Sequence, residues 1–311
     1  MLIFTTPTSL PPAQALAKKL QLHLHICVPT IFSDGNSFIR LPADPRDHNC
    51  LIVQTLYGDS LHLDIINTLF IADSLRRSHA RKIILIIPFF SYAKADQANG
   101  PGTSQRAQVV ASLFSPKLFD QLVTLDLHRT QVNDFFPGNA THLVSDDFWC
   151  QWLRENMPTQ DLTLVAPDQG AAAKVQSLAN KLHLPRLIAR KSRPDFVGAP
   201  QVSLTRPETL TSRALIIDDF TTSGQTLVAT AKILKAQGFS QVEALVTHAP
   251  LCPDAYQTLQ ENHVLERLYT TNTTRVATSD TIRVIDISEW WEKWIRQEKI
   301  ALTQIGSCDI K

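Results

Sequence analysis

The stretch from Arg213 to Thr226 constrains the fold more than any other part of the chain. It opens with an apolar run of strand length, Ala214 to Ile217. It continues through Asp218, Asp219 and Phe220 into Thr221-Thr222-Ser223-Gly224-Gln225-Thr226. A helical pattern follows, with Leu227, Ala231 and Leu234 near one face. A strand feeding a helix through such a loop aims backbone N–H groups and the positive end of the helix dipole at one point, where an anion can sit. Thr221, Thr222, Ser223 and Thr226 add hydroxyl donors. The carboxylates of Asp218 and Asp219 are unsuited to touching a phosphate, but suit a vicinal diol or a bound cation. A phosphate cradle beside a diol clamp describes a pentose 5-phosphate. The plainer alternative is a turn in which one Thr or Ser caps the helix. Two acids followed by this loop exceed what a cap needs.

Strands and helices alternate on both sides of this unit. In the first half, Leu2-Ile3-Phe4, Leu22 to Val28, Phe38 to Leu41, Leu51 to Leu56, Ile83 to Ile87 and Leu122 to Leu127 read as strands. Pro12 to Leu20 reads as a helix, as does Leu61 to Arg77 with Leu61, Ile65, Leu69, Ala72 and Leu75 at helical spacing. A shorter helix passes through Val109, Val110 and Leu113. Phe32-Ser33-Asp34-Gly35-Asn36 is a turn by its Asp-Gly pair.

A second series begins after Pro137: helix near Asp147–Glu155, strand Leu162–Ala166, helix Ala171–Leu182, strand Leu187–Arg190, the organising unit, and strand Val242–Thr247. Ile282 to Ile287 is a late strand. Glu289 to Lys299, with Trp290, Trp291 and Trp294, reads as a closing helix packed through its indoles. Strands alternating with helices twice over predict two parallel-sheet α/β domains, and 311 residues suffice for a core in each. The expected divisions are 1–143, 144–288 and a closing helix over 289–311.

Several classes are disfavoured. The net charge of +1 gives no basic footprint for nucleic acid. Cys27, Cys50, Cys150, Cys252 and Cys308 are odd in number and widely spaced, which predicts reduced thiols of a cytosolic protein. Met1 to Pro7 lacks the basic stretch and long apolar core of a secretory signal. The most apolar run, Ile83 to Phe90, is far too short to span a bilayer. The expected setting is cytoplasmic, without membrane or nucleic-acid partners.

Two more loops follow strands on the same logic. Ala166-Pro167-Asp168-Gln169-Gly170 precedes a small-residue helix, and its amides suit a second phosphate. Asp168 either holds Mg²⁺ or caps that helix. Asp126-Leu127-His128-Arg129-Thr130-Gln131 ends a strand of the first half. A lone His at a strand end is more often structural than functional.

These residues together resemble a known family. The stretch 213–226 is similar to the phosphoribosyl-diphosphate (PRPP) binding motif of type I phosphoribosyltransferases and PRPP synthases. Asp126-Leu127-His128 with Gln131, Phe135-Phe136 and the Pro-Asp-x-Gly segment at Asp168 resemble PRPP synthases in particular. So do Phe32-Ser33-Asp34-Gly35, Pro88-Phe89-Phe90-Ser91-Tyr92-Ala93, Lys191-Ser192-Arg193, Thr271-Asn272-Thr273 and Asp286-Ile287-Ser288. The order holds from about Ile3 to the final helix.

The resemblance implies two tandem type I phosphoribosyltransferase-like domains, each a parallel sheet flanked by helices. It implies transfer of the β,γ-diphosphoryl group of ATP to the anomeric hydroxyl of ribose 5-phosphate, with Mg²⁺ as cofactor and AMP as by-product. Carried over residue by residue, Thr222, Ser223, Gly224, Gln225 and Thr226 would hold the 5-phosphate, and Asp218 with Asp219 the ribose hydroxyls. Asp168, Gln169 and Gly170 would form the diphosphate loop. His128 and Asp168 would meet Mg²⁺, with His128 also catalytic. Lys191 and Arg193 would neutralise charge on the transferred group. Phe32, Asp34, Lys94 and Asp96 would serve the nucleotide, Phe32 and Asp34 reaching a neighbour's site in a homo-oligomer.

The sequence also departs from the family pattern. The family's "RQDR" is Lys94-Ala95-Asp96-Gln97, where Lys94 keeps a charge without the planar fork that grips phosphate twice. The next loop arginine becomes Gly102, with Arg106 nearby. The turn acid is Asn36, the second glycine of the diphosphate loop is Ala171, and the third acid of the PRPP motif is Thr222. The ribose half of the site is thus intact and the nucleotide half altered. Two other readings stay open: a catalytically silent homologue that regulates a partner, and a phosphoribosyltransferase. Retained His128, Asp168, Lys191 and Arg193 favour the synthase over the first. A second copy of the fold counts against the other.

Overall fold

A computed structural model describes residues 1–192, 201–204, 211–261 and 263–298. They divide into two units, Met1–Leu143 together with the stretch from Asp286, and Val144–Ile285.

In the first unit, branched apolar runs form strands buried on both faces, the pattern of a parallel sheet covered by helices. The elements are β1 (Leu2–Thr5), α1 (Leu10–Leu20), β2 (Leu24–Ile26), β3 (Thr30–Ile31), β4 (Ser37–Phe38), β5 (Asn49–Val53), α2 (Leu61–Arg77), β6 (Lys82–Ile87), α3 (Arg106–Ala111), β7 (Gln121–Leu125) and β8 (Ala140–Leu143). The sheet runs β2-β1-β5-β6-β7-β8, all parallel, and β3 and β4 form a separate antiparallel hairpin.

Three local expectations shift. β4 ends at Phe38, short of the predicted Leu41, as the chain runs toward Pro42 and Pro45. β5 stops at Val53: the Gln54 N–H still bonds Ile86 O at 3.0 Å, but the Thr55 N–H leaves the ladder for Ser9 Oγ at 2.7 Å. Beyond it Leu56 is buried, with its N–H bonded to Phe89 O and its carbonyl to the Ser91 N–H. In α3, Ala107 and Ala111 make the buried contact, leaving Val109 and Leu113 exposed.

The second unit repeats the pattern: α4 (Asp146–Asn156), β9 (Leu162–Ala166), α5 (Ala172–Leu182), β10 (Arg186–Ser192), β11 (Gln201–Leu204), β12 (Arg213–Phe220), α6 (Gln225–Ala236), β13 (Gln241–His248), α7 (Pro253–Glu261), β14 (Arg267–Thr271) and β15 (Ile282–Ile285). Its sheet runs β11-β10-β9-β12-β13-β14-β15, parallel except for β11 at the edge. With the antiparallel β11 left out and the parallel strands of each sheet numbered in chain order, both sheets run second, first, third, fourth, fifth, sixth. β10 outruns the predicted strand, reaching Ser192, because β11 pairs with its end. The closing helix, α8 (Ser288–Gln297), packs on α1 in the first unit, with Trp291 and Trp294 buried and Trp290 half-buried. Among the described residues no helix is long and apolar enough to cross a membrane.

Candidate active site

In the second unit, β9 and β12 are parallel neighbours, so the loops leaving them meet at one carboxyl edge. Asp218 and Asp219 are strand residues near the end of β12, and the two-residue period sends them to opposite faces. Asp219 shares its face with Leu215 and Ile217, which pack under α4 and α5. Asp218 shares the other with Ala214 and Ile216, which pack under α6. Asp218 is half-buried and its Oδ1 accepts the Asp219 N–H at 2.8 Å, while Asp219 is buried.

The hydroxyl loop is pinned at two points, to the last residue of β13 and to the chain that follows it. The Thr221 N–H donates to His248 O at 3.1 Å, and the Cys252 N–H to Thr222 O at 3.0 Å. Thr221 Oγ1 accepts the Gly224 N–H at 3.2 Å, so this hydroxyl braces the loop from within. Gly224 takes φ +72, the left-handed conformation that starts α6. Thr222 and Gln225 are exposed, Ser223 and Thr226 half-buried. The first-turn amides of α6 have no intrahelical partner by geometry, and they open where these hydroxyls stand. The loop thus sets these hydroxyls beside the amides of the first turn, with Thr221 as a brace.

After β9, Asp168 Oδ1 accepts the Gly170 N–H at 2.9 Å and lies 3.4 Å from the Ala171 N–H. The carboxylate thus shapes the loop that carries Gln169 and Gly170. Behind the same edge lies a buried polar cluster. Lys174 Nζ on α5 donates to Thr247 Oγ1 at 3.0 Å and Ser145 Oγ at 3.3 Å, and stands 3.8 Å from Asp219 Oδ1. Trp149 Nε1 donates to Thr247 Oγ1 at 3.1 Å. His248 is buried, with Nδ1 2.8 Å from Thr273 Oγ1.

In the first unit, His128 follows β7 and is half-buried. Asp126, before it, takes φ +41, and its N–H bonds Leu143 O at 2.9 Å. The Leu127 N–H donates to His142 Nε2 at 3.0 Å, which fixes that ring nitrogen as an acceptor. Lys94 is exposed after β6. Asp96, half-buried, has Oδ2 3.5 Å from Arg129 Nη1. Phe32 and Asp34 sit on the exposed β3–β4 turn, which Gly35 closes at φ +86. Hydrogen bonds from the Asn36 backbone and side chain hold the Asp34 carboxyl below the usual carboxylate range. Lys191 lies in β10, its backbone opposite Val202. Arg193 lies outside the described residues.

Among the described residues, no group of three or more His, Cys, Asp or Glu side chains is placed to hold a metal ion. A cation at a loop with so few protein ligands would have to keep most of its water and take further oxygens from a substrate. Mg²⁺ behaves in that way.

Comparison with known proteins accounts for both units. A family model described as the N-terminal domain of ribose phosphate pyrophosphokinase matches residues 1–116, and one for the phosphoribosyl transferase domain matches residues 147–258. The ribose-phosphate pyrophosphokinase of Hyphomonas neptunium is 31% identical over 293 residues, 92% of this chain and 93% of that one. The chain belongs to the ribose-phosphate pyrophosphokinase family. The relative of that name from Bradyrhizobium diazoefficiens is 30% identical over 280 residues, 89% of this chain and 87% of its own. The crystal structure of phosphoribosylpyrophosphate synthetase from Mycobacterium smegmatis shares the fold, with TM-score 0.86 over 96% of this chain and 98% of that one, at 23% identity. The expected fold class, two phosphoribosyltransferase-like parallel sheets, is thereby met.

Three residues at these pyrophosphokinase loops carry no local signal in the sequence. Lys174, His142 and Arg129 acquire their partners only when separate elements pack. Of the three, Arg129 alone adjoins a family motif, as the residue after His128.

Proposed function

We propose that this protein transfers the β,γ-diphosphoryl group of ATP to the anomeric hydroxyl of ribose 5-phosphate, giving PRPP and AMP. Family membership supports the reaction class. The observation that carries the acceptor is the braced hydroxyl loop at the head of α6, beside two carboxylates at the end of β12. Thr222, Ser223, Gly224, Gln225 and Thr226 take the 5-phosphate. Asp218 and Asp219, coming from opposite faces of one strand, take the ribose hydroxyls between them.

Phosphoryl transfer asks a protein mainly for positioning and charge neutralisation. The nucleotide side lies in residues 1–143, with Lys94 and Asp96 along the phosphates, and the ribose side in 144–288. Residues 289–311 close the chain. Asp168 and His128 would each offer a ligand to Mg²⁺, with His128 also taking part in the transfer. The ion, when bound, neutralises the phosphate oxygens. Gln169 and Gly170 present amides to the diphosphate, and Lys191 and Arg193 offset charge on the transferred group. The exposed Phe32–Asp34 turn reaches the nucleotide site of a second subunit in a homo-oligomer. The setting is the cytoplasm.

The test is AMP release by purified protein given ATP, Mg²⁺ and ribose 5-phosphate, with other nucleotides in parallel. AMP that appears only with ribose 5-phosphate supports the synthase. Ribose 5-phosphate binding without product from any nucleotide would favour the silent regulatory homologue, a reading that the altered segment Lys94-Ala95-Asp96-Gln97 keeps in play.

A further inference from the structure

We infer that Lys174 is a positioning residue for the ribose clamp, its buried ammonium holding Asp219 from the protein side. This rests on the reading of Asp218 and Asp219 as the ribose-binding acids.

A lysine head group is seldom buried, because stripping its water is costly unless partners replace it. The Lys174 side chain is only 9% exposed, and that of Asp219 only 12%. Three oxygens surround the ammonium: Thr247 Oγ1 at 3.0 Å, Ser145 Oγ at 3.3 Å and Asp219 Oδ1 at 3.8 Å. The last distance is an ion pair rather than a hydrogen bond. The two hydroxyls therefore set where the charge sits, and the charge acts on the carboxylate.

The hydroxyls are themselves fixed. Thr247 Oγ1 accepts from Trp149 Nε1 and from Lys174, which fills both its acceptor positions. Ser145 Oγ, 3.2 Å away, stands in reach of the Thr247 hydroxyl proton. Four elements, α4, α5, β12 and β13, thus converge on one cation. Asp219 follows Asp218 directly, and neighbouring carboxylates repel. The ammonium offsets that repulsion on the buried face and keeps Asp219 in one orientation, so that both acids meet the cis diol of a ribose phosphate.

The experiment measures binding of ribose 5-phosphate and 2-deoxyribose 5-phosphate, which lacks the diol, to the full chain by calorimetry. The unaltered protein should prefer ribose 5-phosphate. Lys174→Met should weaken ribose 5-phosphate by roughly tenfold or more, the scale of one lost charged contact, while hardly changing the deoxy sugar. Lys174→Arg should restore part of the preference. If Lys174→Met does not fold, Thr247→Val, which keeps the charge but removes an anchor, should reduce the preference in the same direction. A folded Lys174→Met or Thr247→Val that keeps full preference, or weakens both sugars equally, would overturn the role. An Asp218→Asn control separates the two ideas. If it loses preference while Lys174→Met keeps it, the clamp stands and Lys174 has no part in it. If the unaltered protein has no preference, the diol reading itself falls and takes this role with it.

Discussion

Gly224 and Leu259 leave no room between them: a Cβ built on Gly224 would stand 2.9 Å from Leu259 Cδ2, a buried side chain of α7. The start of α6 is therefore set by a contact with the next helix as well as by its own backbone. Gly224→Ala combines this clash with a left-handed φ that a side chain disfavours, and should cost about 2 kcal/mol of stability. Thermal unfolding should show a drop of several degrees, and calorimetry a weaker ribose 5-phosphate complex. Adding Leu259→Ala should not restore binding, because the φ penalty remains.

Asp168 has two separable duties. Its Oδ1 shapes the loop by accepting the Gly170 N–H, and its charge serves the proposed metal. Asp168→Asn keeps an acceptor for the turn and removes the charge, so the Mg²⁺ needed for half-maximal AMP release should rise by roughly tenfold or more, the scale of one charged contact. Asp168→Ala removes both, and should in addition weaken whatever the loop amides bind. Equal Mg²⁺ dependence in all three proteins would take Asp168 off the metal.

Arg129 pairs with Asp96, one of the proposed nucleotide residues, with no signal of its own in the sequence. Its pair with Asp96 is half-exposed on the arginine side, and such pairs contribute at most about 1 kcal/mol to stability. Arg129→Ala should thus leave the melting temperature nearly unchanged. It should raise KM for ATP several-fold, because Asp96 would then face the triphosphate with its charge uncompensated. KM for ribose 5-phosphate should stay as it was. A change in the latter alone would reverse the assignment of sides.

Burial pushes the Cys27 and Cys50 thiols up to about 12. At pH 8 both should resist an aromatic disulfide reagent that titrates the half-buried Cys252. The sign of the stability effect follows. An acid whose native value is raised binds more protons folded than unfolded across the interval between the two values. Stability from these thiols is therefore complete below the ordinary thiol range and falls as pH climbs from about 9 toward 12. The melting temperature should decline over that range, and less steeply in a Cys27→Ala/Cys50→Ala variant.

Local features are legible in the sequence, and convergent ones are not. The strand, hydroxyl loop and helix around 213–226 are contiguous, so their residue types announce them. The apolar spacing of α2 predicts a helix over the same residues it occupies. The opposite facing of Asp218 and Asp219 follows from strand period alone, but only once β12 is known to run through Phe220. Lys174 has no assignable role in the sequence, since its partners come from α4, β12 and β13. β11 escapes the pattern because its order depends on pairing with β10, and α7 because a short polar helix carries little periodicity. Val109 and Leu113 mislead for the opposite reason: small Ala107 and Ala111 allow the close approach, and the bulkier residues are left outside.

The shared strand order of the two units bears on how such a protein can diverge. The loop after the third strand is an open cradle in the second unit. In the first, Leu56 seals the corresponding loop with both its backbone groups committed to the chain after β6. The same place in the strand order thus carries an exposed hydroxyl loop in one unit and a loop tied down by its backbone in the other. A change in the loop at 94–97 of the first unit therefore leaves the hydroxyl loop of the second, built from its own strand and helix, as it is.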